Sequence, residues 1–230
     1  MPDPALQGSL LIVVAPSGAG KTSLVRHLLS VRDGLRLSVS YTTRAPRPGE
    51  RDGIDYRFVS AEDFLARRDR GEFLESAQVH GNHYGTSRAW IADQMACGTD
   101  IVLEIDWQGA AQVRRMFPDA VSVFIAPPSL EVLRQRLTAR GQDAPEVIER
   151  RMAAARSELE HAGECQYVII NQDFAAACQA LVGIADAARC RYRQQHSRHP
   201  ALFAELGMTR QDAPTPPPGH PWPASPSKTA

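Results

Sequence analysis

The apolar positions of this chain fall into short unbroken runs separated by stretches of helical period. Leu10-Leu11-Ile12-Val13-Val14 is a continuous branched-apolar run, the pattern of a strand buried on both faces. Ser23 to Leu29 then repeats its apolar residues at helical spacing, and Leu35 to Ser40 alternates like a strand. From Tyr41 to Glu50 the texture changes, because prolines and a glycine exclude a regular helix there. Tyr56 to Val59 predicts a short strand. Ala61 to Arg70 predicts a helix, with Phe64 and Leu65 on its apolar face and Gly71 ending it. Phe73 to Tyr84 returns to strand-like segments broken by a turn at Gly81-Asn82. Ser87 is the N-cap expected of a helix running to about Cys97, with Gly98 as its stop.

Beyond Gly98 the pattern becomes regular. Ile101 to Asp106 is a strand ending in acidic residues, followed by a helix through Ala110 and Val113. Ala120 to Ile125 is the next strand and Leu130 to Arg140 the next helix. Pro145 suits the first turn of a long Arg/Glu-rich helix reaching about His161. Tyr167 to Ile170 is a last strand and Phe174 to about Tyr192 a last long helix. Buried strands alternating with helices imply an α/β fold of three layers, a parallel core sheet covered on both faces. Residues 1–40 and 97–208 would form that core, with 41–96 as an inserted mixed α+β lobe and about 129–162 as a helical lid. From Thr209 onward the chain is mainly Pro, Ala, Ser and Thr, too poor in apolar surface to fold, so 209–230 is expected to be a disordered tail.

Composition narrows the classes. At 230 residues the chain can bury a real core, and one domain with insertions is expected. The formal net charge is zero, which argues against nucleic-acid partners, so any cationic site must be local. No apolar stretch is long enough for a membrane span, and Met1-Pro2-Asp3-Pro4 lacks the basic start of a signal peptide, so a cytoplasmic location is expected. Cys97, Cys165, Cys178 and Cys190 lie far apart with no Cys-x-x-Cys pair, and are read as small buried hydrophobes rather than metal or disulfide partners.

Between the first strand and first helix lies Ala15-Pro16-Ser17-Gly18-Ala19-Gly20-Lys21-Thr22. Strand, small-residue loop and helix in that order are the context a phosphate loop requires, although Ala15 stands where the strict motif has glycine. The glycines let consecutive backbone N–H groups turn toward one point, where the helix N-terminus adds partial positive charge. Lys21 would bring a mobile charge to the β- and γ-phosphates of a nucleoside triphosphate, and the Thr22 hydroxyl suits Mg²⁺. Lys21 and Lys228 are the chain's only lysines amid abundant arginine, so a compact, flexible ammonium stands at this loop in a chain that otherwise uses guanidiniums.

The acceptor signal lies in the inserted segment. Arg44 and Arg47 are three residues apart in a proline-limited stretch, so both guanidiniums could converge on one dianion, with Tyr56 and Tyr84 adding hydroxyl donors. Arg136 and Arg140 lie four apart on one helical face, and Arg151 lies in the next helix. Alone they read as a solvated charged face; in a phosphoryl-transfer enzyme they read as a closing lid. Glu104 and Asp106 end a parallel strand, where ligands bind, and suit the waters around Mg²⁺. No catalytic triad or metal-ligand cluster stands out. None is needed if the acceptor is a phosphate monoester, whose second pKa near ~6 leaves its oxygen ionised at neutral pH.

With these motifs in view, the chain resembles the guanylate kinase family from about Ser9 to Arg191. The linked motifs are Ala15 to Lys21, Ser38-Val39-Ser40-Tyr41-Thr42-Thr43-Arg44 with Pro46 to Glu50, Gly53 to Tyr56, Phe73-Leu74-Glu75, Gly81 to Ser87, Ile105 to Gly109 and Arg140-Gly141. The resemblance implies a P-loop fold and transfer of the ATP γ-phosphate to GMP with Mg²⁺, in a monomer or homodimer. It implies that Ala15, Pro16, Ser17, Gly18, Ala19, Gly20, Lys21, Thr22 and Asn171 bind ATP, Asn171 near the adenine. Ser40, Glu75 and Thr86 would contact guanine, and Arg44, Arg47, Tyr56 and Tyr84 the GMP phosphate, with Asp106 near GMP or metal. Lys21, Arg44, Arg136, Arg140 and Arg151 would be the catalytic cations. Three substitutions depart from the family pattern: Glu104 for an Asp, His83 for a Tyr, and Gln172 for an Asp beside Asn171. A ribose bisphosphate phosphokinase and a non-catalytic guanylate-kinase-like binding module are two other readings, and an ATPase of unrelated substrate, disfavoured by the inserted lobe, is a third. The complete Thr-Thr-Arg and Pro-Arg-Pro-Gly-Glu signature speaks against the first, and Lys21, Thr22 and the lid arginines against the second.

Overall fold

The computed structural model describes residues 8–79, 81–139 and 144–208. Arg140 and the tail 209–230 therefore lie outside the described residues. Five parallel strands form the core sheet: β1 (Leu10–Val14), β2 (Leu35–Leu37), β7 (Asp100–Glu104), β8 (Val121–Ala126) and β9 (Tyr167–Ile170), in the order β2-β7-β1-β8-β9. The continuous apolar runs are continuous because both faces of these strands are covered. Leu11 and Val13 of β1 pack with Leu24, Val25 and Leu28 of α1 (Lys21–Val31) and with Leu181 and Ala185 of α7 (Phe174–Arg189). Leu10, Ile12 and Val14 point the other way, against Ile91 and Met95 of α3 (Arg88–Ala96) and Ala110 and Val113 of α4 (Trp107–Met116). The three-layer expectation holds.

Between β2 and β7, which are neighbours in the core, the chain builds a second sheet. Its strands are β3 (Tyr41–Thr42), β4 (Arg57–Phe58), β5 (Phe73–Val79) and β6 (Asn82–Ser87), in the mixed order β4-β3-β6-β5. Helix α2 (Ala61–Asp69) covers it through Phe64, which is fully buried and stacks on Phe73 at 4.6 Å. Ser60 caps α2 by accepting from Asp63 N–H, and Ser87 caps α3 by accepting from Trp90 N–H. Helix α3 lies where the two sheets meet, Ile91 and Met95 packing with Leu10, Ile12 and Leu103 of the core sheet and with Leu74 of β5.

Helices α5 (Leu130–Ala139) and α6 (Pro145–Glu160) form a hairpin with a small core of its own, Leu133, Leu137, Ile148, Met152 and Ala155. Beyond α6, one 3-10 turn (His161–Glu164) lays His161 flat on Trp107, with ring centroids 3.6 Å apart.

Three sequence expectations change. The last helix stops at Arg189 rather than Tyr192; a turn there opens two short helices, α8 (Tyr192–Arg198) and α9 (Pro200–Glu205). The strand at Leu35 ends at Leu37, because the chain leaves the core sheet toward the second one. Only Cys178 of the four cysteines is buried; Cys165 is half-buried and Cys97 and Cys190 are exposed, all with free thiols. At the amino-terminal end of β7, away from the phosphate loop, buried Asp100 accepts from both the backbone N–H and hydroxyl of Ser9. Its carboxylate is also paired with Arg189 at 3.0 Å and with Arg198.

Candidate active site

The phosphate loop joins β1 to α1, and its backbone is the kind that demands glycine. Gly18 and Gly20 hold φ of +93° and +96°, a region L side chains avoid. At Gly20 there is a second reason, since a Cβ there would collide with the side-chain amide of Asn171. Asn171 lies at the carboxyl end of β9 and is 4% exposed. Its Nδ2 donates to the Ala19 carbonyl at 2.7 Å, and its backbone N–H donates to Ala126 O at 2.8 Å. Arg136 of α5 donates to the same Ala19 carbonyl at 3.4 Å and to Asn171 O at 2.9 Å. The hairpin arginine and the strand-end asparagine thus hold one peptide of the loop from two sides.

The first residues of α1 reach the neighbouring strand. Lys21 Nζ donates to Ile105 O at 3.1 Å, and the Thr22 hydroxyl donates to Glu104 Oε1. The longer glutamate at position 104 spans the gap to Thr22. Asp106 caps α4, accepting from Gly109 N–H at 2.9 Å, while its other oxygen accepts from Gln108 Nε2 at 3.0 Å. A hydroxyl and two carboxylates with oxygen-only donors fit a hard divalent cation such as Mg²⁺. Among the described residues no three His, Cys, Asp or Glu side chains gather as a metal cage.

The second sheet supplies the other pole. Glu75 on β5 is 3% exposed, yet it is a carboxylate; it accepts from the Thr86 hydroxyl at 2.6 Å, and Ser40 Oγ lies 3.4 Å from that hydroxyl. Burial pushes the Glu75 carboxyl up to about 7, the Thr86 hydrogen bond acting against that shift and the charge of Asp106 with it. Its second oxygen lies against the backbone of α4, where a Cβ at Gly109 would strike it. Three buried polar side chains from β5, β6 and the segment before β3 thus face one point.

Nearer the solvent, Arg44 does not wait free for a ligand. It pairs with Glu50, donating to both carboxylate oxygens at 2.8 Å, and to Ala45 O at 2.7 Å. Its guanidinium lies 5.3 Å from the Tyr56 ring centroid. Arg47 is exposed, and its backbone N–H, not its guanidinium, meets Glu50. Tyr56 and Tyr84 pack edge-on at 6.0 Å. Burial pushes the Tyr56 phenol up to about 12, with the charge of Glu104 adding to the shift, so this tyrosine remains a donor at any physiological pH and faces the end of β7. His83 stacks on Phe64 at 5.3 Å, the imidazole serving as a ring. Arg151 lies half-buried on α6.

Glu158, near the end of α6, was not singled out on sequence. Burial pushes its carboxyl up to about 7; Lys21 acts against the shift, Asp106 with it, and the Ser17 backbone N–H against it. The available signal was its spacing of seven from Arg151, two helical turns on one face. Glu50 and Gln108 stand within the quoted motifs without a role of their own, and Gln112 carries no mark at all, because a side chain whose partner is backbone 36 residues away leaves no local pattern.

The two poles meet at the turn joining β7 to α4: Lys21 and Thr22 reach it from one side, and Tyr56 and Glu75 face it from the other. Such a turn sits at the carboxyl ends of parallel strands, where α/β folds place their ligands. The family profile described as Guanylate kinase matches residues 7–188. A guanylate kinase of Paraburkholderia xenovorans is 57% identical over 204 residues, covering 89% of this chain and 91% of the relative. One from Ralstonia nicotianae is 59% identical over 201 residues, 87% and 91% of the two chains. The crystal structure of guanylate kinase from Anaplasma phagocytophilum superposes with a TM-score of 0.70 at 34% identity, covering 86% of this chain and 95% of that one. With its phosphate loop, its second sheet and nearly its whole described length matched, the chain belongs to the guanylate kinase family.

Proposed function

We propose that the transfer of the ATP γ-phosphate to GMP, giving ADP and GDP, is divided in this chain between the two poles of the β7–α4 turn. The phosphate loop, Ala15 to Thr22, cradles the triphosphate. Lys21 follows the transferring group, and Asn171 serves the ATP site by holding the Ala19 carbonyl. Arg44, Arg47, Tyr56 and Tyr84 hold the GMP phosphate. Glu50 sets the direction of Arg44 while leaving its outer face to the ligand. Ser40, Glu75 and Thr86 read the guanine. One carboxylate can accept from guanine N1–H and its 2-amino group together, whereas adenine offers a lone pair at that edge.

Thr22 would bind Mg²⁺ directly, with Glu104 and Asp106 holding its waters; the ion supplies neutralisation of charge developing on the phosphate oxygens. The acceptor phosphate is already ionised, so the protein needs no general base. It must align the two phosphates, exclude water and bring cations to the equatorial oxygens. Arg136 and Arg151 serve that last task with Arg140. For Arg136 this means leaving the carbonyls of Ala19 and Asn171, so the hairpin moves on nucleotide binding.

The observation that carries this reading is the convergence of Lys21 and a buried carboxylate, Glu75, on one strand-to-helix turn. It is tested by measuring ADP formation from ATP with GMP, AMP, IMP and ribose 1,5-bisphosphate. Turnover dependent on GMP is expected, and Lys21→Ala should lower it by about two to four orders of magnitude with the melting temperature unchanged. ADP formation with the sugar phosphate and not with GMP would overturn the reading.

A further inference from the structure

Helix α4 carries two glutamines, Gln108 and Gln112, four residues apart and so on one face. Strand β5 is the outer strand of the second sheet, with one edge unpaired by any strand among the described residues. The glutamines lie along that edge. Gln112 Nε2 donates to Ser76 O at 2.9 Å, and its Oε1 accepts from Ser76 N–H at 3.2 Å. Gln108 Nε2 reaches Gln78 O at 3.5 Å. The spacing matches: four residues of helix rise about 6.0 Å and two residues of strand about 6.8 Å. The Gln112 amide, one donor and one acceptor on a single residue's N–H and C=O, does what a pairing strand would do. It also donates to Gln108 O at 3.3 Å, which fixes its rotamer.

Ser76 follows Glu75, and one turn before Gln112 the Gly109 backbone lies against the free oxygen of Glu75. A side chain at 109 would displace that carboxylate; without the Gln112 clamp, β5 would slide along α4 and carry the carboxylate with it. We propose that Gln112 is a positioning residue for base recognition: its amide pins Ser76, and so sets where the Glu75 carboxylate meets the acceptor's base edge. Gln112 never touches the nucleotide. The proposal rests on the reading of Glu75 as the guanine acceptor, and its test keeps the two apart.

The test compares Gln112→Leu, Gln112→Glu, Glu75→Gln and the double variant Gln112→Leu/Glu75→Gln, each by KM for GMP, IMP and ATP, kcat and melting temperature. Gln112→Leu removes both bonds, and Gln112→Glu keeps the acceptor and turns the donor against the Ser76 carbonyl. Both are expected to raise KM for GMP roughly five- to tenfold, narrow the preference over IMP, and leave KM for ATP and kcat at saturation unchanged. Should Gln112→Leu not fold, Gln112→Glu carries the same expectation. In the double variant the GMP effect should not exceed that of Glu75→Gln alone, because the clamp acts through that carboxylate. If Glu75→Gln leaves GMP recognition untouched, the reading of Glu75 falls. If Glu75→Gln acts as expected while the Gln112 variants keep wild-type KM for GMP, or the two effects simply add, the clamp has no part in recognition and the proposal is overturned.

Discussion

Glu75 is an acid kept where an acid is costly. Burial pushes its carboxyl up to about 7, well above the ordinary carboxylate range near 4.5, so the fold disfavours the charged form. The sign follows from linkage: the folded state binds this proton more tightly, so stability from this group is present below about pH 4.5 and is lost as pH rises toward 7. Glu75→Gln, which keeps the bond from Thr86, should therefore stabilise the ligand-free protein by up to about 3 kcal/mol at pH 8 and by little at pH 4. Thermal unfolding at the two pH values checks this; an equal shift at both would show that ionisation is not the cause. Function runs the other way. Guanine donors need the ionised form, so KM for GMP should fall as pH rises through about 7, and that slope should flatten in Glu75→Gln. Steady-state kinetics across pH 6 to 8, with KM for ATP as the internal control, would reveal it.

At the scale of elements, the β1–loop–α1 unit was legible because its signal is local: a five-residue apolar run, two positive-φ glycines and a helical repeat follow one another directly. The βα units after Gly98 were legible for the same reason. What sequence did not carry were contacts whose partner is distant backbone. Asn171 is 152 residues from the carbonyl it holds, and Gln112 is 36 from Ser76. The pair Arg44 and Arg47 was visible as spacing, yet spacing could not say that Glu50 takes up one guanidinium. Asn171 yields a sharp prediction at this scale. If it serves ATP by holding the loop, Asn171→Ala should raise KM for ATP and GTP as phosphate donors by a similar factor, roughly tenfold. A reader of the adenine base would instead lose only the ATP preference, so donor competition assays separate the two.

Taken as a whole molecule, the cations that the proposed reaction calls on lie in three places: Lys21 in the phosphate loop, Arg44 and Arg47 in the second-sheet segment, and Arg136 and Arg151 on the α5–α6 hairpin. The hairpin packs on its own small core, with Leu159 near the end of α6 reaching the main one, so that end is the natural pivot for its movement. Binding must therefore assemble the cations, and small-angle scattering should show a smaller radius of gyration with a bisubstrate analogue than without one. Identical radii would refute closure.

The buried carboxylate at Asp100 has a consequence for the order of events in synthesis. Strand β1 waits for β7, 91 residues later as measured from Ser9 to Asp100, before it gains a neighbour on that side. Asp100 then has a hydroxyl and an N–H but no cation; α7 and α8 bring its cover and its cations together, as Arg189 and Arg198, the latter 98 residues further on. An uncompensated buried charge costs about 3–5 kcal/mol, comparable with the net stability of a small domain. A nascent chain arrested before α7 should thus remain protease-sensitive in its sheet, and in the full chain the double variant Arg189→Ala/Arg198→Ala should fold slowly while a further Asp100→Asn restores the rate by removing the charge left unpaired. The arginines of the closing helices would then act as a checkpoint, letting the sheet set only after they have left the ribosome.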